Sequence, residues 1–117
     1  MQVRQEGKVM VVDVSADDLM DPVAVMSYFE QLIVEAGQSR ILVNLSSIEY
    51  LSSLQIGTLV ALHVLAYENV ALLKFAGLNK KLEGLFNILG VNRVIEMHYG
   101  SVDPRDLFEE DPRPPRS

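Results

Sequence analysis

Two spacings of apolar residues alternate along this chain. Short runs in which nearly every residue is apolar occur at 9–12, 41–45 and 70–76, and longer stretches with an apolar residue every three or four positions separate them. Continuous apolar runs of this length are typical of strands that are covered on both faces, whereas the longer spacing is typical of amphipathic helices. The pattern therefore predicts strands that alternate with helices.

Capping residues mark where the helices begin and end. Asp21 followed by Pro22 predicts the start of a helix, and Gly37 supplies the left-handed residue that ends it. Asn79 and Gly90 bound a later helix in the same way. The predicted elements are strands at 2–5, 9–14, 41–45, 70–76 and 93–97, and helices at 22–36, 54–67, 80–89 and 104–108.

The order of these elements predicts the fold class. An opening hairpin followed by strand–helix alternation predicts an α/β fold, with a mixed, largely parallel sheet of about five strands that has one antiparallel edge and packs with about four helices. At 117 residues the chain has the length of one domain, which we place at residues 1–110. The proline-rich, polar segment 111–117 is expected to be a disordered tail.

Composition excludes several classes of function. The net charge of −6 argues against nucleic acid as the main partner, because phosphate binding needs a basic surface. No apolar run approaches the ~20 residues of a membrane span, and the N-terminal sequence lacks the apolar core of a secretory signal. With no cysteine in the chain, disulfides are excluded, and we expect a cytoplasmic protein.

Serine pairs in the segment NLSSIEYLSSLQIG, residues 44–57, raise the question of catalysis. Ser52 with Gln55 fits a helix capping box, which is reason enough for one serine. A serine nucleophile needs a base beside it, and the only histidines are His63, within an apolar helical stripe, and His98. Two distant histidines without cysteine also give no metal-ligand spacing. We therefore expect neither an enzyme nor a cofactor.

The segment 41–65, ILVNLSSIEYLSSLQIGTLVALHVL, resembles the signature of the STAS domain, in particular that of bacterial anti-sigma factor antagonists. That signature runs as an apolar strand, Asp-Leu-Ser/Thr, a small residue, Val, three further positions and Asp-Ser-Ser-Gly-Leu-Gly-x-Leu. The resemblance extends to the element order over residues 2 to 108 and to the segment AGLNKKLEGLFNILGVNRVIEM. The matching positions are Asn44, Leu45, Ser46, Ile48, Ser53, Ile56, Gly57 and Leu59.

The departures from the signature concern the regulatory serine. When the chain is aligned on Gly57, Leu54 stands where regulated members of the family carry the serine that takes phosphate. Asn44 likewise replaces the aspartate at the strand end. The resemblance therefore implies a family member without the usual phospho-switch, in which Ser53 is the remaining candidate for phosphorylation.

The helix that follows is unusually apolar, since residues 54–67 contain no charge. A surface helix normally carries a charged face, so the uncharged sides are either covered by neighbouring helices or form an interface. We expect Ile56, Leu59, Val60, Val64 and Tyr67 to face the sheet. The remaining sides would then hold Leu54, Thr58, Ala61, Leu62 and Leu65.

The resemblance and the apolar helix together predict a protein-binding module. The expected partner is an anti-sigma factor with a kinase-like fold, whose sequestration would release a sigma factor. Two alternatives stay open: a self-associating STAS scaffold, such as a homodimer, in a signalling or transport complex, and a sensor that binds a small ligand beside Asn44, Ser52 and Ser53. The predicted partner-binding residues are Ser52, Ser53, Leu54, Gln55, Thr58 and Leu62.

Overall fold

The computed structural model describes residues 1–100 and 102–109, with only the backbone of Glu109. The predicted tail at 111–117 lies outside the described residues. Within them, five strands form one sheet in the order β1-β2-β3-β4-β5, with β1 antiparallel to β2 and the other pairs parallel. The predicted fold class is confirmed. The strands are β1 (Gln2–Glu6), β2 (Val9–Asp13), β3 (Arg40–Asn44), β4 (Leu72–Leu78) and β5 (Met97–Tyr99).

Four α-helices accompany the sheet in the described part of the chain: α1 (Pro22–Glu30), α2 (Ser53–Glu68), α3 (Lys80–Leu89) and α4 (Pro104–Glu109). A π-helical turn, Gln31–Glu35, continues α1, and single 3₁₀ turns lie at Asp18–Met20 and Val91–Arg93. Helices α1, α2 and α3 each connect two neighbouring parallel strands. Their first turns therefore lie at the edge of the sheet where β2, β3 and β4 end, which we call the carboxyl edge.

One face of the sheet carries the main core. Phe29 of α1, Leu59 of α2 and Phe86 of α3 are fully buried in one cluster with Val43 and Phe75 of the sheet. The three helices therefore cover the same face side by side, with α2 between α1 and α3.

The other face is covered by the C-terminal helix. Phe108 of α4 packs in a second cluster with Val11 and Leu42. Lys74 of β4 is buried beneath this helix, where its ammonium donates to the carbonyl of Leu107 at 2.8 Å and lies 5.1 Å from the centre of the Phe108 ring. A buried lysine thus holds the end of α4 through a carbonyl and an aromatic face.

The strand predicted at 93–97 was misplaced. Gly90 ends α3 in the left-handed conformation, and Val91–Arg93 then continues as a 3₁₀ turn that buries Val91 and, just beyond it, Ile95. The apolar residues in this segment are spaced for a helical turn, so the strand begins only at Met97.

The first helix buries only some of its apolar residues. Val25, Phe29 and Ile33 form the buried line, whereas Val23 and Val34 are exposed. Since successive residues turn by about 100°, Val23 lies nearly opposite Val25 around the helix. An exposed valine is therefore presented at the start of α1.

Candidate partner-binding surface at the carboxyl edge

The start of α2 is fixed by the predicted capping box. The backbone N–H of Ser52 donates to the side-chain oxygen of Gln55 at 2.6 Å, and the backbone N–H of Gln55 donates to the Ser52 hydroxyl at 3.3 Å. Each side chain thus satisfies a backbone donor that the helix leaves unpaired. Ser52 is occupied as a cap, as the sequence indicated.

The segment before α1 lies against this first turn of α2. The Gln55 amide nitrogen donates to the carbonyl of Ala16 at 2.9 Å, and the Thr58 hydroxyl lies 3.4 Å from the carbonyl of Leu19 and 3.1 Å from that of Leu54. Leu54 and Thr58 share one side of the helix, being four residues apart. Leu54 therefore lies beside the turn that ends at Met20.

The predicted orientation of α2 was right at Ile56 and Leu59, which are buried, and wrong at other positions. Leu62 is fully buried, and Thr58 and Gln55 are also buried, whereas Val64 and Tyr67, which we expected inside, are exposed. The buried positions are Gln55, Ile56, Thr58, Leu59, Leu62 and Ala66. Because the helix has no charged face, its periodicity did not mark which side points inward.

Of the six predicted partner-binding residues, the structure therefore leaves only part at the surface. Ser53 and Leu54 are exposed and Ser52 is half-buried. Leu62 lies in the core, Thr58 lies against the Leu19 carbonyl and Gln55 donates to the Ala16 carbonyl. These three residues are buried, and they are withdrawn as docking residues. Ser53, in the first turn of α2, stays a predicted phosphorylation site.

Sequence reasoning missed three other exposed apolar residues at the same edge of the sheet as Leu54. Met20 precedes α1, Val23 is the second residue of α1, and Tyr50 lies in the loop that leads into α2, so the topology brings all of them to the carboxyl edge with Leu54. They are far apart in sequence, and only the parallel order of the strands indicates their proximity. We call these four residues the docking edge; their exposed fractions are 53% for Met20, 80% for Val23, 74% for Tyr50 and 50% for Leu54.

Asn44 takes part in a polar network on the other face of the sheet. Its amide nitrogen donates to Asp13 at 2.8 Å, and Arg4 donates to both carboxylate oxygens of Asp13 at 3.0 and 3.1 Å. A cavity of about 360 Å³ is lined by Asn44 and Ser46 among others, but not by Ser52 or Ser53. Of the three residues predicted to lie beside a ligand, this cavity therefore includes only Asn44.

Neither histidine lies beside the serine pair. His63 is about ten residues into α2, or roughly 15 Å along the helix axis from Ser53, and its ring lies 6.3 Å from that of Tyr67. His98 is hydrogen-bonded to the carboxylate of Glu96. The geometry thus gives Ser52 and Ser53 no imidazole within hydrogen-bond reach.

Glu96 is the centre of a charged cluster at the β4–β5 side of the sheet. Its carboxylate lies 3.2 Å from the Lys74 ammonium. Partial burial raises the pKa of Glu96, but hydrogen bonds from His98 and Lys74 outweigh that effect, and the pKa lies below its usual value.

No group of three or more acidic or histidine side chains in the described part of the chain is arranged to hold a metal ion. None of the helices found there combines the length and the apolar character of a membrane span.

The sequence of the chain identifies the family to which it belongs. The sequence model of the family described as "Mlab, STAS domain" matches residues 1–97. The chain belongs to the STAS domain family. No curated protein matches the sequence.

Solved structures show the same fold at low identity. The solution structure of the protein TM1081 superposes with a TM-score of 0.76 at 14% identity, covering 92% of this chain and 85% of that one. The crystal structure of TM1081 from Thermotoga maritima, described as a proposed anti-sigma factor antagonist, gives 0.72 at 15%, with 96% and 94% covered. A chain from the stressosome, described as a signal integration and transduction hub, gives 0.77 at 14%, with 92% and 96% covered.

Proposed function

We propose that this STAS domain is a non-enzymatic module of the anti-sigma factor antagonist type. It binds an anti-sigma factor of kinase-like fold through the docking edge and thereby releases a sigma factor. Membership of the STAS family and the fold shared with a proposed anti-sigma factor antagonist support this proposal. The observation that carries it is the exposed Leu54 at the second position of α2.

Leu54 makes the binding constitutive at this position. In the resembling family the corresponding serine takes phosphate, which adds about −1.5 to −2 charges and disfavours an apolar contact. Leucine cannot be phosphorylated. The docking edge therefore presents an apolar contact whose character no kinase changes at residue 54.

The neighbouring residues favour a protein as the occupant of this surface. Met20, Val23 and Tyr50 are exposed apolar residues at the same edge of the sheet as Leu54, and the starts of α1 and α2 carry Val23 and Leu54. An apolar centre with a polar surround is typical of the anchor region of a protein interface. The capping box holds the first turn of α2 in place, so binding orders little additional backbone.

The test is the affinity for anti-sigma factors of kinase-like fold from the same genome, measured by calorimetry. We expect Leu54→Asp to weaken binding at least tenfold, because a carboxylate would be buried without a partner. Ile88→Asp is the matched control, since Ile88 is 83% exposed on α3 and lies outside the docking edge.

The control variant should bind like the unmodified protein. Equal affinity of Leu54→Asp and Ile88→Asp for a binding anti-sigma factor would remove the docking edge from the proposal. Failure of every such factor to bind the unmodified protein would contradict the proposed function itself.

A further inference from the structure

The two sides of the docking edge carry opposite charges. On the α1 side, Asp17 and Asp21 are exposed; on the α3 side, Lys80 and Lys81 are exposed at the first two positions of the helix. The sequence contains no lysine, arginine or histidine between residues 8 and 40, and the one basic group on the acidic side in the described part of the chain is the N-terminal amine, 3.6 Å from Asp18. Because α2 lies between α1 and α3, Leu54 lies between an acidic and a basic flank.

This arrangement is complementary to itself in one orientation only. A two-fold axis normal to the sheet and passing near Leu54 places the acidic flank of one copy against the basic flank of the other, twice. An axis in the plane of the sheet would instead place acidic flank on acidic flank, which is repulsive. In the first arrangement the apolar residues of both docking edges meet at the centre.

We propose that the docking edge also binds a second copy of this chain, head to head, about a two-fold axis normal to the sheet. The contact needs no other protein, so it stands or falls independently of the anti-sigma factor. If both contacts exist, self-association covers Leu54, and an anti-sigma factor competes with the dimer for the same surface.

Three other acidic groups at this edge limit how tight the contact becomes. Glu49 is exposed in the loop beside α3, where its carbonyl accepts from Asn79. Asp18 lies 3.6 Å from the N-terminal amine. Burial and the charge of the Glu83 carboxylate raise the pKa of Tyr99 in β5. Together with the net charge of −6, these groups make the expected dimer weak and reversible.

The test uses two variants with opposite changes of charge. The basic variant, Asp17→Lys with Asp21→Asn, makes both flanks positive, and asparagine keeps the cap that Asp21 provides to Ala24. The acidic variant, Lys80→Glu with Lys81→Glu, makes both flanks negative and suits the start of a helix. Each variant alone should repel itself, whereas a mixture of the two should pair.

Sedimentation equilibrium at protein concentrations up to about 1 mM populates even weak dimers. We expect the unmodified protein to dimerise reversibly, each variant alone to dimerise at least tenfold more weakly, and the equimolar mixture to recover dimers. Leu54→Asp should abolish the dimer. An unmodified protein that stays monomeric throughout would overturn the proposal, and so would a mixture that stays monomeric.

Matched controls carry the same changes of charge at the opposite edge of the sheet. Glu35→Lys with Glu68→Gln copies the basic variant, and Lys8→Glu with Arg93→Glu copies the acidic one; all four side chains are exposed. These controls should dimerise like the unmodified protein. Equal losses in the controls and the variants would attribute the effect to net charge and would also overturn the proposal.

Discussion

At the residue scale, two leucines eight positions apart on α2 lie in opposite environments. Leu62 is fully buried and Leu54 is half exposed, although the sequence around both is uncharged. Capping chemistry could be predicted from the sequence, because Ser52 and Gln55 need only local spacing to pair. The orientation of α2 could not, since it depends on contacts with Ala16 and Leu19, which are remote in sequence.

The two leucines should respond differently to truncation. Leu62→Ala should lower the free energy of unfolding by about 2–5 kcal/mol, because it leaves a cavity in the core. Leu54→Ala should change it by about 0.5 kcal/mol or less, as is usual for surface substitutions. Urea denaturation of both variants measures the difference. Similar losses would show that Leu54 is part of the core and would contradict its assignment to a docking surface.

The Glu96 carboxylate should make the stability of the protein depend on pH. Its pKa is lowered in the folded protein from an ordinary value of 4.5, so the stability that it contributes is complete above about pH 4.5 and is lost as the pH falls through the folded pKa. Glu96→Gln should therefore flatten the fall in stability below that pH. Carboxyl-carbon NMR titration measures the pKa directly. A midpoint at or above 4.5 would be inconsistent with the bonds from Lys74 and His98.

At the element scale, the parallel strands and the helices between them were predictable from the spacing of apolar residues and from the helix-capping residues. The misplaced strand at 93–97 shows the limit of that approach, because the apolar residues of this segment satisfy a helical turn as well as a strand. The docking edge itself was missed for a related reason. Met20, Val23 and Tyr50 belong to three separate segments, and only the sheet topology brings them together.

Helix α4 should leave the sheet when its main apolar contact is removed. It is short, and its attachment to the sheet depends on Phe108 and on the bond from Lys74 to Leu107. Phe108→Ala should release this helix and expose the second face, with faster amide hydrogen exchange at Val11 and Leu42. Exchange at Leu59, beneath the other face, is the internal control and should change much less. Uniform acceleration at all three positions would show that the two faces unfold together.

At the scale of the whole molecule, the fold places the core and the proposed docking surface in separate regions. The main core lies under three helices, whereas the exposed apolar residues of the docking edge contribute little to it. Charge also varies along the docking edge, with acidic residues around the start of α1 and lysines at the start of α3. The net charge of the chain does not reveal this distribution, because it depends on where the sheet places each helix.

The measurement that tests the central claim most directly is displacement of a sigma factor. A fluorescently labelled sigma factor is bound to its anti-sigma factor, and this protein is titrated into the complex while anisotropy is followed. We predict that the unmodified protein and Ile88→Asp release the sigma factor with the same midpoint, and that Leu54→Asp needs at least ten times more protein. Equal midpoints for all three proteins, or no release by the unmodified protein, would contradict the account.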